Sequence, residues 1–355
     1  MNNEKKNKER RTFLKLAGSA FGISALSYYL GFTGRAAPVP TDALPNYADH
    51  GLGFPVFRGP YLQKNARLAA FLFNADLDHL TVLCDQALNV SESFPYKYVP
   101  ITPNVMLVYA DMHVSSLDER DAQVGLIPET EVSFWVLTAA MQKTQRGYVP
   151  HHLAWFLPYL LVDEGNAIAT GREVFGFNKQ AAQFQKPERI EKPEFTVDVL
   201  GFKKFGLEVV AQQERLLEVR TSSTSDSTQM KNGWETAKNK IAGELLKNIR
   251  YDMGGGLLEF AARFINDNIP LVFLKQFRDA QDTRKACYQK IVEASLKVQT
   301  YYEGGIMQSP YTLNIASLAS HPLAQKMGLK ESEQKSTLGV WIKVDFFLGN
   351  GVEVQ

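Results

Sequence analysis

The stretch AIATGREVFGFNKQAA, residues 167–182, places a lysine after two phenylalanines at a spacing of two residues. Alternate side chains of a β-strand point to the same face, so this spacing predicts Phe175, Phe177 and Lys179 on one face. An apolar pocket disfavours the ammonium form of lysine and lowers its pKa, and the neutral amine is a nucleophile toward carbonyl carbon. Lys179 is therefore a candidate buried nucleophile. The alternative, which the spacing alone favours, is a solvated lysine at a strand end.

Other catalytic patterns are missing from the sequence. The six histidines form neither H-x-x-x-H nor H-E-x-x-H, and the adjacent His151 and His152 would face opposite ways on a strand. The glycine run at 254–256 lacks the following lysine and hydroxyl residue of a phosphate-binding loop, and no G-x-S-x-G motif occurs. The sequence therefore predicts no metal and no cofactor.

The N-terminal 37 residues differ in composition from the rest of the chain. They carry seven basic and two acidic residues and continue into a moderately apolar stretch, which is the layout of a secretory signal. Arg10 and Arg11 in ERRTFLK resemble a twin-arginine export motif. Residues 1–37 are therefore predicted to be a signal, with the twin-arginine machinery as partner and a periplasmic or extracellular location. A membrane anchor is the alternative if the signal is not cleaved.

Residues 38–355 have the composition of a globular domain. The whole chain of 355 residues is 45% hydrophobic, and leaving out the basic N-terminus gives the remainder a net charge of −4. Scattered charges of this kind offer nucleic acid no attraction, so it is not expected as a partner. Cys84 and Cys287 are too few for a disulfide framework. A single bridge and two small buried side chains both stay open.

Short segments rich in β-branched and aromatic residues, separated by glycine and proline, predict a mainly β (α+β) body. The predicted strands are 67–75, 105–114, 131–141, 167–177, 195–202, 207–212, 217–222, 291–304 and 338–349. Apolar residues at helical spacing predict helices over 228–250, 256–268 and 321–329. Strands and helices do not alternate, so we expect a mostly antiparallel sheet closed into a β-barrel, with a helical insertion at about 228–268.

The block NAIATGREVFGFNKQ, residues 166–180, resembles the active-site segment of the acetoacetate decarboxylase family. In that family, a GRE run leads through an aromatic residue to a lysine that forms a Schiff base. Residues 171–173, Phe177 and Lys179 match this order, and Asp163 matches an acidic residue before it. Residues 57–80 resemble the family's opening segment, and residues 269–277 and 291 to about 348 resemble its closing strands.

The resemblance implies a closed or cone-like β-barrel and a lyase that decarboxylates a β-keto acid without a cofactor. Lys179 would attack the ketone and form an iminium, which accepts the electrons that remain when carbon dioxide leaves. A carboxylate beside the amine is expected to transfer protons. Glu131 is the better match to that carboxylate and Glu129 is the second choice.

The substrate-binding residues implied by the resemblance are Arg67, Asp111, Phe175 and Phe177. Aligned without gaps, the family's arginine falls on Ala66, so Arg67 reaches the pocket only if a β-bulge shifts the strand by one residue. Gln180 stands where the family has a second lysine, which leaves burial alone to lower the pKa of Lys179.

Three questions stay open at this point. The same iminium can serve an aldolase or dehydratase reaction, and the same pocket can hold a small apolar or carbonyl ligand without catalysis. A lowered pKa of Lys179 would distinguish the enzymes from the binding protein. The resemblance also implies a homo-oligomer, whose contacts the insertion at 228–268 would either extend or block.

Overall fold

The computed structural model describes residues 44–51, 56–145, 147–221, 228–229, 233–247, 249 and 269–354. The predicted signal over 1–37 and the predicted helix over 256–268 lie outside these residues, so both stay predictions. In the described part of the chain, no helix is both long and apolar enough to cross a bilayer.

The described residues form mainly β-strands. The strands are β1 (Tyr61–Asn74), β2 (Tyr96–Pro100), β3 (Asn104–Ser116), β4 (Ile127–Thr144), β5 (Gly147–Val162), β6 (Lys179–Ala181), β7 (Gln183–Gln185), β8 (Phe195–Gly201), β9 (Gln212–Arg220), β10 (Thr228–Gln229), β11 (Leu271–Arg278), β12 (Ala286–Ile306), β13 (Thr312–Ile315), β14 (Gln334–Lys335) and β15 (Leu338–Glu353). The helices are α1 (Leu77–Ala87), α2 (Gly165–Thr170), α3 (Gly233–Lys247) and α4 (Leu323–Met327), with a 3-10 turn at Asp121–Val124 and a π-helical turn at Gly171–Phe175.

Ten strands form one mixed sheet in the order β2-β4-β3-β1-β15-β12-β11-β5-β6, with β10 beside β12. Because β4 also pairs with β5, the seven strands from β4 round to β5 form a closed circuit of pairings. The pairings of β5 with β11 and with β6 are parallel and the others are antiparallel. The predicted mainly β fold is confirmed, whereas the predicted antiparallel arrangement is only partly correct.

A second sheet, in the order β14-β13-β9-β8-β7, covers one face of the main sheet. Phe71 on β1 and Tyr109 on β3 contact Phe195 on β8, with ring centroids 6.4 and 4.9 Å apart. Leu80 on α1 and Met327 on α4 are buried in the same apolar cluster. The opposite face of the main sheet packs into a separate cluster that surrounds a cavity.

The predicted strand over 167–177 is wrong, because this segment is helical. The Glu164 side chain caps α2, and the π-helical turn that follows ends at Gly176, whose φ of +84° is left-handed. A glycine adopts this angle without the clash that a Cβ would cause. The segment 207–212 is also not a strand, except that Gln212 begins β9.

Several elements were not predicted from the sequence, and β5 and α1 are two of them. Strand β5 is a nearly continuous apolar run with two prolines, so it lacks the alternation of a half-buried strand. Asp76 is the N-cap of helix α1, and its side chain accepts a hydrogen bond from the backbone N–H of His79 at 3.0 Å. Such an N-cap was a readable signal.

The two cysteines do not form the disulfide that the sequence left open. Both are free thiols in the structure, with Cys84 buried and Cys287 exposed. The other alternative, two buried side chains, therefore holds for Cys84 alone. Burial raises the pKa of the Cys84 thiol well above its usual range.

Candidate functional site

Lys179 is the first residue of β6, a short strand that pairs with the end of β5. The chain reaches it through the π-helical turn and Gly176, where a Cβ would lie 2.4 Å from the Cα of Lys275. The turn therefore requires glycine for its close packing as well as for its left-handed backbone. Phe175, Phe177 and Lys179 do not alternate on one strand, but all three side chains line the same cavity.

Gly171 packs directly against the aliphatic part of the lysine. A Cβ at this position would lie 2.8 Å from Cδ of Lys179 and 3.1 Å from the ring of Phe177. Both distances are shorter than ordinary van der Waals contact, so a side chain at residue 171 would push the lysine away. Arg172 contributes from the same turn, because its Nη1 donates a hydrogen bond to the backbone carbonyl of Lys179 at 3.4 Å.

Two glutamates of β4 contact the lysine amine. Nζ of Lys179 lies 2.6 Å from Oε1 of Glu129 and 3.5 Å from Oε2 of Glu131. The glutamates are two residues apart and so share a face of the strand. The side chains of Lys179 and Glu129 are only 7% and 5% exposed. The structure therefore brings together the three residues that the sequence analysis proposed as catalytic, with Glu129 rather than Glu131 the closer partner.

The charge state of this cluster follows from burial and from the neighbouring charges. Burial disfavours the ammonium of Lys179, but the attraction and hydrogen bonds of Glu129 and Glu131 outweigh it, so the pKa of Lys179 lies above its ordinary value. The lowered pKa of Lys179 that the sequence predicted is therefore wrong in this structure, so the pKa criterion that would have favoured an enzyme over a binding protein is not met. Burial, with added repulsion from Glu129, raises the pKa of Glu131 despite the opposing effect of Lys179.

The strand that carries the glutamates is held from its other face. Thr130, between them, donates its backbone N–H to Oδ1 of Asp163 at 2.7 Å. Its hydroxyl donates to Oδ1 of Asp111 at 3.4 Å. Because successive side chains of a strand point to opposite faces, these contacts fix β4 without entering the cavity.

The cavity beside the lysine has a volume of about 290 Å³. Phe175 and Phe177 form part of its wall, with stacked rings whose centroids are 4.8 Å apart. Other apolar residues that line it include Leu68, Met106, Val108, Met112, Leu157, Leu160, Leu271, Ile342, Phe346 and Leu348. Within the described part of the chain, the charged side chains that line the cavity are Glu129, Glu131, Lys179 and Lys238.

Arg67, proposed from the sequence to bind substrate, does not line the cavity. A bulge interrupts β1 between Gln63 and Ala66, where Asn65 has a φ of 52°. Gln63 lines the cavity before the bulge, whereas Leu68 lines it afterwards. The bulge therefore turns Ala66 inward and Arg67 outward, which is the opposite of the shift that the sequence analysis required.

Asp111 also lies outside the cavity, so its predicted contact with substrate is wrong in this structure. It forms ion pairs with Arg67 and, at 3.2 Å, with Lys186. Burial disfavours its carboxylate, but these two cations outweigh burial and hold the pKa of Asp111 below its ordinary value. Asp111 therefore supports β4 through the hydroxyl of Thr130, outside the cavity.

Helix α3 contributes a wall of the cavity that the sequence analysis did not predict. Ala237, Lys238 and Ile241 line the cavity, and Nζ of Lys238 lies 2.7 Å from Oε1 of Glu235. The apolar spacing predicted a helix in this segment, but spacing does not indicate what its apolar face covers.

The cavity lining includes neither the histidine pair nor Gln180. His151 and His152 do not face opposite ways, because their Nδ1 atoms are 2.7 Å apart beside a bulge in the pairing of β4 with β5. Among the described residues, no three histidine, cysteine, aspartate or glutamate side chains are arranged to hold a metal ion. Gln180 lies outside the cavity lining, as expected of the residue after Lys179 on a strand.

Neither a protein-family model nor a curated protein matches this sequence. Solved structures do match the fold. One is an acetoacetate decarboxylase with 16% identity and a TM-score of 0.53, covering 84% of this chain and 91% of that one. Another is acetoacetate decarboxylase from Legionella pneumophila subsp. pneumophila str. Philadelphia 1, with 15% identity, a TM-score of 0.53 and coverage of 88% and 98%.

A third similar structure is the enduracididine biosynthesis enzyme MppR, complexed with the condensation product of pyruvate and imidazole 4-carboxaldehyde. It is 12% identical, has a TM-score of 0.52, and the match covers 91% of this chain and 98% of that one. At these identities the similarity establishes a fold of the acetoacetate decarboxylase type and leaves the chemistry to be argued from the site.

Proposed function

We propose that this protein is a lyase that forms a Schiff base between Lys179 and a β-keto acid and releases carbon dioxide. The observation that carries this proposal is the buried Nζ of Lys179, 2.6 and 3.5 Å from two carboxylates in the wall of a largely apolar cavity. The acetoacetate decarboxylase structures that share the fold support it.

The reaction begins with a proton leaving Lys179, because its raised pKa keeps the resting amine protonated. Glu131 is a suitable acceptor, since burial raises the pKa of its carboxyl group. Glu129, at 2.6 Å, holds the amine in place for attack. The neutral amine adds to the ketone carbon, and loss of water gives an iminium.

The iminium accepts the electron pair of the bond between the α-carbon and the carboxylate. Carbon dioxide leaves and an enamine remains, which takes a proton at the α-carbon. Water then hydrolyses the resulting iminium, so that the ketone departs and the amine of Lys179 is restored. Apolar walls favour the middle step, because an ionised carboxylate is poorly solvated there and the departing carbon dioxide is neutral.

A second candidate is an aldolase or dehydratase that uses the same iminium. The observation that favours it is the outward position of Arg67, because no arginine is among the described residues that line the cavity to bind a substrate carboxylate. The fold neighbour MppR holds a condensation product of pyruvate and an aldehyde, so this fold admits that type of ligand. Carbon dioxide release distinguishes the two candidates.

The cellular setting belongs to the same proposal. The twin-arginine motif at Arg10 and Arg11 supports export as a folded protein to the periplasm or the exterior. A homo-oligomer is proposed from the family resemblance alone.

Borohydride trapping on the full chain tests the proposed function. The protein is incubated with acetoacetate and longer 3-oxo acids, reduced, and digested for peptide mass analysis. We expect a reduced adduct on Lys179 that is absent in Lys179→Ala and retained in Lys297→Ala, an exposed lysine on β12. No adduct in folded protein across the panel would instead favour a non-catalytic binding protein for a small apolar or carbonyl ligand.

A further inference from the structure

We propose that the substrate of this site carries an extended apolar substituent on its carbonyl carbon and that helix α3 limits its length. This inference rests on the proposed function, because it takes Lys179 as the residue that binds the carbonyl group. It goes further in naming the class of substrate and the residues that select it.

The cavity is larger than a small keto acid requires. An apolar protein cavity of about 150 Å³ holds benzene. The cavity beside Lys179 has nearly twice that volume, about 290 Å³. Acetoacetate is close to benzene in size, so it would leave about half of the space unfilled. A substrate that fills the cavity therefore needs several additional carbon atoms.

The chemistry of the walls indicates what those atoms are. Glu129, Glu131 and Lys179 form one charged group, and residues on β3, β11 and β15 contribute side chains without polar atoms capable of strong hydrogen bonds. These are Met106, Val108, Leu271, Ile342, Phe346 and Leu348. Tyr61, Gln63, Asn166 and Thr170 line other parts of the cavity. The apolar part of the wall binds an alkyl or aryl chain and penalises a hydroxyl or a second carboxylate placed against it, because that group would lose its water without a replacement partner.

Helix α3 is placed to set the size limit. Ala237 is fully buried and lines the cavity, so a larger side chain at this position would occupy substrate space. Ile241, one turn further, lines the same wall. Lys238 also lines the cavity, but its side chain is 25% exposed and pairs with the largely exposed Glu235. The apolar wall therefore gives way to charge and solvent at Lys238.

Carbon dioxide release from a series of straight-chain 3-oxo acids tests the substrate class. From acetoacetate upward we expect kcat/KM to rise on the order of tenfold for every two methylenes, since each buried methylene adds a similar increment of binding. The maximum is expected between 3-oxooctanoate and 3-oxodecanoate. A series that is flat, or that falls beyond acetoacetate, would overturn the inference.

Variants of α3 test its role as the length limit. Ala237→Leu should lower kcat/KM for the longest acids at least tenfold more than for acetoacetate, whereas Ile241→Ala should move the optimum to longer chains. Asn239→Leu, on the exposed side of the same helix, is the matched control. Equal losses for all chain lengths in Ala237→Leu, with an unchanged optimum in Ile241→Ala, would show that α3 does not select the substrate.

Binding of unreactive alcohols distinguishes failure of this inference from failure of the proposed chemistry. Calorimetry with 2-pentanol, 2-heptanol and 2-nonanol measures the apolar site without a Schiff base. If no 3-oxo acid forms an adduct but affinity rises with alcohol length, the lysine chemistry fails and the apolar ligand class stands. If acetoacetate forms the adduct but alcohol affinity does not rise with length, the lysine chemistry stands and the apolar class fails.

Discussion

Gly171 occupies the position from which a single added carbon would collide with Cδ of Lys179, at 2.8 Å. Gly171 therefore acts as a spacer, because the absence of a side chain at this position leaves room for Lys179. The GRE run thus positions the nucleophile as well as forming the turn. Through this contact, the helical segment before the lysine determines where the Lys179 side chain lies.

Gly171→Ala should reduce formation of the borohydride-trapped adduct at least tenfold. The added methyl group displaces the lysine from Glu129 and Glu131, and such overpacking costs about 1–3 kcal/mol of folding free energy. Gly165→Ala is the matched control, because a Cβ there meets nothing within 4 Å. Thermal unfolding and trapping rates on both variants measure the effect, and equal trapping would exclude the spacer role.

Adduct formation should increase with pH. The pKa of Lys179 lies above its ordinary value, so the fraction of neutral amine is small at neutral pH and grows as the pH approaches that pKa from below. Glu129→Gln and Glu131→Gln each remove a charge that raises this pKa and should shift the curve to lower pH, Glu129→Gln by more. Trapping rates measured across pH, with the exposed Glu119→Gln as control, test this order. A curve in Glu129→Gln that coincides with the unmodified protein would contradict it.

Asp163→Ala should destabilise the protein and reduce trapping together. It removes the acceptor of the Thr130 backbone N–H, and leaving such a group unsatisfied costs about 1–3 kcal/mol. Asp163→Asn keeps an acceptor oxygen and should recover most of both properties. Chemical denaturation and trapping rates are the measurements. If Asp163→Asn behaves like Asp163→Ala, the carboxylate charge matters more than the hydrogen bond.

Arg67→Ala should leave kcat/KM for 3-oxo acids within about twofold. The guanidinium lies outside the cavity and pairs with Asp111, and ion pairs at the surface contribute about 0–1 kcal/mol. Steady-state kinetics with acetoacetate and a longer acid tests this expectation. An increase in KM of tenfold or more would show that Arg67 reaches the substrate and that the bulge of β1 rearranges.

The amino-acid sequence by itself determined the elements whose signals are local. Strands β1, β3 and β15 are rich in β-branched and aromatic residues and were predicted from that composition, whereas helices α3 and α4 were predicted from apolar residues at helical spacing. Lys179 was found because its motif is contiguous. The family resemblance also identified Glu129 and Glu131. It ranked Glu131 first, whereas Glu129 lies closer to the amine.

Only the tertiary structure decided the properties that depend on distant partners. Lys179 and Glu129 are 50 residues apart in sequence, and their contact sets the direction of the pKa of Lys179. Arg67 faces outward because a bulge shifts the pairing of β1 with β15, which no short window contains. The cavity receives a wall from α3, a segment that sequence resemblance treated as an insertion. A pKa, a strand register and a cavity each follow from which residues are neighbours in space, and the local pattern does not contain that information.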